Sequence, residues 1–494
     1  MLTGIILKSI KSLIKYSNKN IIILELNEKD GNGDYPLLKA ISICNIEIVE
    51  LLMKYANQHQ IILKLNDKNN KGNCPLTSII YWNKFEMLKL LMEYANQHHI
   101  ILELKEKDEY GYNSLLLAIE YGDINMFELL MEYANQHNII FDLNGKEKEH
   151  RWNSLHFALA KENFERVKLL MEYADQHQII LELNEKDNYG YNSISRVFSH
   201  DNVEMIKLLM EYANQHNIIL NLEGDDFHNI NPLFDALAHK DIEAIKLLID
   251  YANQHHIIFD LNKVDKYGCY PLLIILFDDY SFINYEKNYD VDNEMVELLI
   301  EYASQHQLIL ELNEQSFTNG DFPLLLACEY GNIEMIKALM AYANQHNIIL
   351  DINKNYKNNW NTVTYAIFYN RINIIKLLME YAEQHQIILE LNEKDDMRKY
   401  PLNEAILNNR IEIIKLLIEY AIQHQIILKY NKNNIGNNSD ITELLKNYEK
   451  EIEKIKENNI KVKKKKKKEK KNFFYIYLFI LKIDQNINIL YYNI

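Results

Sequence analysis

Apolar residues recur along most of this chain at the three- and four-residue spacing of a helix face. One clear stretch has the apolar positions Val203, Ile206, Leu209, Met210 and Ala213. Leu208 and Tyr212 extend the apolar surface around the same helix. The pattern predicts a helix that packs between two neighbours rather than against a single core.

Each such helix runs into a stretch similar to Tyr-Ala-Asn-Gln-His, which is usually followed by Ile-Ile-Leu. A degenerate copy begins at Tyr16, and ten clear copies begin at Tyr55, Tyr94, Tyr133, Tyr173, Tyr212, Tyr251, Tyr302, Tyr342, Tyr381 and Tyr420. Their spacing is 39 or 40 residues, except for one interval of 51. A fixed period of this length indicates a stacked repeat array, in which each unit contacts only its neighbours.

A shorter first helix is predicted in each repeat, because its start is marked by Asn and Pro. Asparagines suited to the N-cap are Asn113, Asn153, Asn192, Asn231 and Asn361. All six prolines of the chain occupy the next position: Pro36, Pro75, Pro232, Pro271, Pro323 and Pro401. Proline at the first helical position loses no hydrogen bond, so this helix start is strongly indicated.

The end of the first helix and the start of the second are also marked. Left-handed residues are expected at Gly122, Gly331, Asn83, Asn370 and Asn409. N-caps for the second helix are expected at Asn45, Asp123, Asn163, Asn202, Asp241, Asp292 and Asn332. After the second helix, an extended segment leads to an Asp-x-x-Gly turn, in which Gly supplies a positive φ.

This unit resembles an ankyrin repeat. The family has an Asp-x-x-Gly turn and a Thr-Pro-Leu-His-x-Ala helix start, to which Asn153-Ser154-Leu155-His156-Phe157-Ala158 is the nearest match. The resemblance covers roughly residues 20–430, but the family period is 33, so each unit carries about six extra residues in Asn-Gln-His-x-Ile-Ile. The resemblance implies an all-α fold with short turn or hairpin segments, an ankyrin-like α-solenoid of about ten to eleven helix-turn-helix repeats.

The chain is expected to divide into four parts. Residues 1–33 form a partial or capping repeat, and residues 34–431 form the repeat array. Residues 440–471 form a charged helix with a lysine run, opened by a capping box at Asp440, and residues 472–494 are an apolar tail of uncertain status. A short coiled coil in the charged helix would rest on one or two weak heptads. The extra residues around 278–286 are expected to form a surface loop, with a binding loop as the alternative.

The charge of the chain, −16, is unevenly distributed. Residues 440–494 carry +6, which leaves −22 on residues 1–439. An acidic body disfavours nucleic acid as a ligand, because binding to phosphates needs a basic surface. The four cysteines show no metal or disulfide spacing, which favours a reduced, cytoplasmic setting and leaves a nuclear one open. The sequence lacks a secretory signal and an apolar stretch long enough to span a membrane.

The repeated histidines do not predict a metal site or a catalytic site. Packed helices lie about 8–10 Å apart, so equivalent histidines of adjacent repeats cannot share an ion whose ligands lie about 2 Å from it. The Gln-His pair is instead expected to meet the last carbonyls of the second helix and the negative end of its dipole. Nucleophilic catalysis needs one unique constellation, and no phosphate-binding glycine motif occurs. We therefore expect no enzyme, no cofactor and no metal.

Binding is the function that remains. We expect it at the turns, because the turn sequences vary from repeat to repeat whereas the helix sequences do not. Aromatic and charged turn residues predicted to contact a partner are Tyr110, Tyr112, Arg151, Trp152, Tyr189, Tyr191, Phe227, Tyr267, Tyr356 and Trp360. The resemblance implies that protein partners bind along a concave, turn-bearing face, and the acidic body favours basic partners. The sequence thus indicates a non-enzymatic interaction scaffold.

Two alternatives remain open from the sequence. The first is a membrane-peripheral adaptor that touches an anionic membrane surface through Lys461–Leu481, where a lysine run precedes aromatic residues. The second is a regulatory fragment of a larger ankyrin-containing protein, which the half-repeat at the N-terminus suggests.

Overall fold

The structure is a computed structural model, and it describes residues 2–200, 202–223, 231–265, 267–276, 289–317, 320–355, 359–395, 399–435, 438–454 and 456–457. The chain forms two compact units, Met1–Asp260 and Leu261–Ile494. The predicted loop around 278–286 and the tail with its lysine run lie outside the described residues. Within the described ranges, every regular element is a helix.

The first unit begins with α1 (Leu2–Asn20) and continues with six helix pairs. The short first helices are α2 (Pro36–Ser42), α4 (Pro75–Tyr81), α6 (Ser114–Tyr121), α8 (Ser154–Ala160), α10 (Ser193–Phe198) and α12 (Pro232–His239). The longer second helices are α3 (Ile46–Gln58), α5 (Phe85–Gln97), α7 (Ile124–Gln136), α9 (Phe164–Gln176), α11 (Val203–Gln215) and α13 (Ile242–Gln254). Each first helix contacts its own second helix and the first helix of the next pair, and the second helices contact one another in the same order. This is the stacking of an α-solenoid.

The second unit has the same organisation in four pairs. Its first helices are α14 (Pro271–Leu276), α16 (Pro323–Tyr330), α18 (Thr362–Phe368) and α20 (Pro401–Leu407). Its second helices are α15 (Tyr289–Gln305), α17 (Ile333–Gln345), α19 (Ile372–Gln384) and α21 (Ile411–Gln423). A 3-10 helix, Lys432–Asn434, and a helix over 439–454, α22, follow. The all-helical solenoid expected from the resemblance is confirmed.

The predicted helix starts agree with the structure except at one position. Each of the six prolines is the first residue of its helix. All five predicted asparagine caps accept a backbone N–H in the first turn; Asn113 Oδ1 accepts from Leu116 N at 2.9 Å. The expected cap at Asp292 is wrong, because α15 already begins at Tyr289 and Asp292 lies inside the helix.

The predicted left-handed helix ends are likewise right except for one. Gly331, Asn83, Asn370 and Asn409 have φ between 48° and 82°. Gly122 does not, because its φ of −77° and ψ of 166° are extended backbone. An added Cβ at Gly122 would lie 2.7 Å from the carbonyl oxygen of Ala118, so close packing rather than a left-handed turn accounts for glycine here.

The second helix ends in a Schellman motif, in which the residue after the repeated histidine has the left-handed conformation. Gln60 has a φ of 56°, Ile61 N donates to Ala56 O at 2.8 Å, and Gln60 N donates to Asn57 O at 3.4 Å. The same left-handed conformation, with φ between 55° and 58°, recurs at His99, Asn138, Gln178, Asn217, His256, Gln307, Asn347, Gln386 and Gln425. The chain therefore turns out of each second helix without glycine.

The tyrosine of the repeated stretch connects one repeat to the one before it. Tyr94 is buried, and its hydroxyl accepts from Leu63 N and donates to Ile61 O, both at 3.3 Å. These two residues belong to the extended segment of the preceding repeat. Because that segment has no strand partner, the phenol satisfies backbone groups that would otherwise be buried without a hydrogen bond.

The sequence predicted that the repeated Gln-His pair meets the last carbonyls of its own helix. The histidine side chain does not contact them. Only its backbone does, since His98 N donates to Tyr94 O at 3.1 Å. The His98 ring lies over the Tyr94 ring at 4.3 Å, and its Nε2 lies 2.7 Å from Asn57 Oδ1 in the preceding repeat. Stacking directs the ring along the array and away from the helix end, so the histidine joins two repeats.

Helix α22 covers the last repeat. Its buried face consists of Ile441, Leu445, Tyr448 and Ile452. Tyr448 acts like the repeated tyrosine, because its hydroxyl accepts from Leu428 N at 2.8 Å and donates to Ile426 O at 2.9 Å. The predicted capping box at Asp440 is wrong. Asn438 Oδ1 accepts from the N–H groups of Asp440 and Ile441, so the N-cap lies two residues earlier, at Asn438.

Candidate functional site

The turns that precede the first helices are held by an acidic side chain. Asp108 Oδ1 accepts from Tyr110 N at 3.0 Å and from Tyr112 N at 2.8 Å, and Gly111 between them has a φ of 93°. Asp187 and Asp265 hold the corresponding turns in the same way. The Asp-x-x-Gly interpretation is confirmed, and the geometry fixes the backbone from which the turn aromatics project.

Neighbouring turns are joined to one another by a backbone hydrogen bond. Lys148 N donates to Tyr110 O at 2.9 Å, and Asn188 N donates to His150 O at 3.0 Å. In the second unit, Phe317 N donates to Tyr267 O at 2.8 Å. Successive turns therefore form a connected edge, along which the turn side chains are presented at fixed spacing.

In the first unit, this edge and the ends of two first helices enclose an aromatic groove of about 450 Å³. We call it the aromatic groove and define it by Tyr81, Trp82, Tyr110, Tyr112 and Tyr121, with Asp108 and Glu149 also in its lining. Tyr81 and Trp82 are about half exposed, at 51% and 50%, and Tyr110 is 58% exposed. The Tyr81 ring lies 4.8 Å from Tyr121 and 5.3 Å from Trp82. The aromatics thus form one contiguous surface open to a partner.

Acidic groups surround the phenols of this groove. The charge of Glu109 raises the pKa of Tyr110. Burial, and then the charge of Glu147, raises the pKa of Tyr112 to about 12. Burial and the nearby Glu120 raise the pKa of Tyr121. These phenols therefore stay neutral donors at physiological pH, beside carboxylates that favour a cation.

A buried arginine from the next repeat fixes the end of helix α6, where Tyr121 lies. Arg166 donates to Ile119 O at 2.7 Å and to Gly122 O at 2.5 Å. Burial lowers the pKa of this guanidinium. Because these carbonyls have no partner within the helix, the arginine caps α6 from outside and holds one wall of the groove in place.

Other predicted partner-binding residues are used inside the molecule. Trp152 Nε1 donates to Asp187 Oδ2 at 2.9 Å, and the Arg196 guanidinium pairs with the same carboxylate. This guanidinium lies 4.7 Å from the Trp152 ring and 4.8 Å from the Tyr191 ring. Arg196 and Asp187 are both buried. The two aromatics cover a buried ion pair, which explains why only part of each ring is exposed.

The remaining predicted residues lie apart from the groove. Arg151 and Tyr189 are exposed, and Tyr189 Oη lies 3.1 Å from His150 Nδ1. In the second unit Tyr267 is exposed, whereas the Trp360 ring packs on Phe368 at 4.7 Å and Tyr365 at 5.1 Å. Phe227 and Tyr356 lie outside the described residues. Among the predicted residues that the structure describes, only Tyr110 and Tyr112 line the aromatic groove.

Three groove residues were missed by the sequence analysis. Tyr81 and Tyr121 are the last residues of α4 and α6, and Trp82 follows α4 directly. They could have been recognised from the sequence, because large aromatic residues occur at the exposed end of the first helix in consecutive repeats, where they cannot pack in the core. The prediction was limited to the turns, and these three residues lie at helix ends.

No metal-binding or membrane-spanning feature is found in the part of the chain that the structure describes. There, no group of three or more His, Cys, Asp or Glu side chains is arranged to hold a metal ion. Among the same residues, none of the helices is long and apolar enough to cross a bilayer. The four cysteines are free thiols, three of them buried.

Comparison with known proteins identifies the repeats. A family model for ankyrin repeats (3 copies) matches residues 6–102, 287–387 and 347–427. The search of curated proteins gave no match. Among solved structures, the chain is similar to the crystal structure of the ankyrin repeat domain of Bcl-3, which is described as a unique member of the IkappaB protein family. The sequence identity is 18% and the TM-score is 0.36, and the match covers 54% of this chain and 99% of that one. Ankyrin repeats are generally protein–protein interaction modules, and this chain is an ankyrin-repeat protein.

Proposed function

We propose that this protein is a non-enzymatic scaffold that binds a protein partner through the aromatic groove. The observation that supports this most directly is the cluster of five aromatic side chains, three of them half exposed, on helix ends and a turn. Aromatic residues supply much of the binding energy at interfaces because they bury a large area at low cost in conformational entropy. Their exposure in the free chain has no packing explanation.

The partner segment is basic. Asp108 and Glu149 line the groove, and Glu109 and Glu120 act on its phenols. A Lys or Arg side chain can lie over an aromatic face while its charged end reaches a carboxylate. The net charge of −16 adds a long-range attraction that speeds the approach of such a partner.

A peptide selection on the full-length protein tests this proposal. A phage-displayed random peptide library would be panned against the wild-type chain and against the variant W82S/Y110S. We expect the wild type to enrich peptides that contain Lys or Arg, and we expect the double substitution to weaken their binding at least tenfold. Raising the salt concentration should slow their association.

The variant Y369S is the matched control, because Tyr369 is a 41% exposed aromatic at the end of a first helix in the second unit. It should leave the binding of the selected peptides unchanged. Selected peptides that bind wild type and W82S/Y110S equally, or that carry no basic residue, would show that the groove is not the binding site for a basic segment.

The two sequence-based alternatives remain predictions. The membrane-contacting segment Lys461–Leu481 lies outside the described residues. The regulatory-fragment alternative concerns sequence beyond this chain. Neither has a structural observation that favours it over the groove.

A further inference from the structure

The extended segment after most of the second helices is held in place by an asparagine of the preceding repeat; at the clamp position before the segments of Ile140 and Ile258 stand Lys105 and Glu223 instead. Asn66 Nδ2 donates to Ile101 O at 2.9 Å, and its Oδ1 accepts from Glu103 N at 3.2 Å. The same two-point clamp is made by Asn27, Asn144 and Asn184 in the first unit and by Asn262, Asn313, Asn353 and Asn392 in the second. The clamp fixes the extended segment, so the side chains that point outward from it are placed regularly.

An exposed isoleucine lies at the centre of each of these segments. Seven of these isoleucines lie in the first unit, the last being Ile258, and we call the first six the isoleucine row: Ile23, Ile62, Ile101, Ile140, Ile180 and Ile219. Their side chains are 48% to 60% exposed, whereas the next residue, such as Leu63 or Leu102, is buried. The second unit carries the same feature from Ile309 to Ile427.

Core packing does not explain this row. The exposed residue two positions earlier changes freely from Gln60 to His99 to Asn138, because only its left-handed backbone matters. At the row position, the residue is isoleucine in every one of the eleven repeats, although about half of the side chain faces solvent. Single exposed apolar residues are ordinary, but a contiguous, periodic set of them is typical of an interaction surface.

A second row of mainly acidic residues runs beside the first. Two positions after each isoleucine, and hence on the same side of an extended chain, lie Glu25, Lys64, Glu103, Asp142, Glu182 and Asn221. All six are exposed. The lysines further along the segments are paired with acidic residues of the next repeat, as in Lys68 with Glu106 at 3.1 Å and Lys146 with Glu185 at 2.5 Å. The apolar row is therefore flanked by a net negative one.

We propose that the isoleucine row is a second docking surface, separate from the aromatic groove, and that its occupant is a basic amphipathic helix of a partner protein. The negative row selects the charge of that helix. Stacked repeats follow one another at about 10 Å, and seven residues of an α-helix span about 10.5 Å. A helix with an apolar residue at each seventh position can therefore meet one isoleucine per repeat, with Lys or Arg on its adjacent face.

A designed peptide provides the test with the full-length chain. The probe is a helical peptide of about 28 residues, enough to span about four repeats, with leucine on one face and lysine on the adjacent face. Its control is the same peptide with every lysine replaced by glutamate. We expect the wild-type chain to bind the basic peptide at least tenfold more tightly than the acidic one. The variant I62T/I101T/I140T/I180T should weaken this binding at least tenfold, because threonine keeps the β-branch but removes apolar surface.

Charge substitutions give a second, independent measurement. Lys64→Glu should strengthen binding of the basic peptide, and E103Q/D142N should weaken it and reduce its salt dependence. The groove variant W82S/Y110S should bind the peptide like wild type, which separates failure of this inference from failure of the proposed groove function. Circular dichroism of each variant checks that the fold is retained.

Three results would overturn the inference. The first is equal binding of the peptide to wild type and to the threonine variant. The second is no preference of the wild-type chain for the basic over the acidic peptide. The third is a concentration-dependent self-association of the wild type, measured by analytical ultracentrifugation, which the threonine substitutions abolish. The isoleucine row would then bind a second copy of this chain.

Discussion

The Nε2 of His98 lies 2.7 Å from the side-chain oxygen of Asn57, in the preceding repeat. Equivalent contacts join His59 to Asn18, His137 to Asn96, His255 to Asn214 and His385 to Asn344. In two repeats a carboxylate takes the place of the asparagine: His216 Nε2 lies 2.8 Å from Asp175 Oδ1, and His424 Nε2 lies 3.8 Å from Glu383 Oε1. The repeated stretch therefore acts between repeats as well as at the helix end, and it holds adjacent second helices in register.

We expect His98→Ala to lower the free energy of unfolding by about 1 kcal/mol, because it removes one hydrogen bond and one ring contact. His346→Ala is the matched control. Its ring stacks on Tyr342 at 4.2 Å, but Ser304 replaces the asparagine and its Nε2 has no hydrogen-bond partner. Urea unfolding gives the free energy of unfolding of both variants. The difference between their losses is the contribution of the hydrogen bond to asparagine. A cost at His346 equal to that at His98 would contradict this role for Asn57.

The same comparison predicts a stabilising substitution. Ser304→Asn should supply the missing partner for His346 and raise the free energy of unfolding by about 0.5 to 1 kcal/mol. In the background of His346→Ala, the gain should disappear, because the new asparagine then has no imidazole to meet. A double-mutant cycle on thermal or urea unfolding checks this, and a gain that persists without His346 would assign the effect to another cause.

Tyr94→Phe tests the phenol that bridges two backbone groups of the preceding repeat. We expect a loss of about 1 to 3 kcal/mol, because the N–H of Leu63 stays buried without a partner. Tyr110→Phe is the control, since that phenol is exposed and its loss should change stability by less than about 0.5 kcal/mol. Equal effects of the two substitutions, measured by urea unfolding, would show that the buried hydroxyl is dispensable.

Glycine should have opposite effects at two nearby positions. Gln60 is in the left-handed conformation, so Gln60→Gly should stabilise the protein by about 0.5 to 1 kcal/mol. Gln58 is the last residue of α3, so Gln58→Gly should cost up to about 1 kcal/mol. Thermal unfolding of both variants provides the test, and a destabilising Gln60→Gly would mean that its side chain is needed at the helix end.

His156 should make stability depend on pH. Burial, and then the charge of Arg196, lowers the pKa of this histidine to about 4, whereas it is about 6.5 in an unfolded chain. Between these values the unfolded state binds a proton that the folded state does not, so stability falls as pH decreases from about 6.5 to 4. The full effect of this shift is on the order of 3 kcal/mol. His156→Gln should flatten this part of the curve in urea unfolding at several pH values, and an unchanged slope would assign the dependence to other groups.

The sequence predicted helix bounds closely because those signals act within a few residues. A proline or asparagine at a helix start meets backbone groups three or four positions away, so Pro75 and Asn113 could be read without knowing the fold. The three failures at helix ends have local causes as well, and one of them is that Asn438 rather than Asp440 caps the last helix. Asp292 lies inside a helix that begins earlier, and Gly122 is required by the carbonyl of Ala118 rather than by a left-handed turn.

The candidate site was only half visible in the sequence, because exposure depends on what the neighbouring repeat supplies. Tyr110 and Trp152 look alike as turn aromatics, yet one is exposed and the other lies against Arg196 of the following repeat. The two differ in position, because Tyr110 precedes the turn glycine Gly111 whereas Trp152 directly precedes the N-cap Asn153. The groove needs Tyr81 and Tyr121, which lie 40 positions apart and meet at 4.8 Å only when two first helices stack.

By itself, the sequence determined the repeat, its two helices, the turn and the family, because periodicity and capping are written in short stretches of chain. Only the tertiary structure decided what the repeated Tyr-Ala-Asn-Gln-His stretch contacts, which aromatics remain open to a partner, and that one isoleucine per repeat faces solvent. The physical reason is that these features depend on residues about one period apart. Their side chains meet, or fail to meet, only after the repeats have stacked.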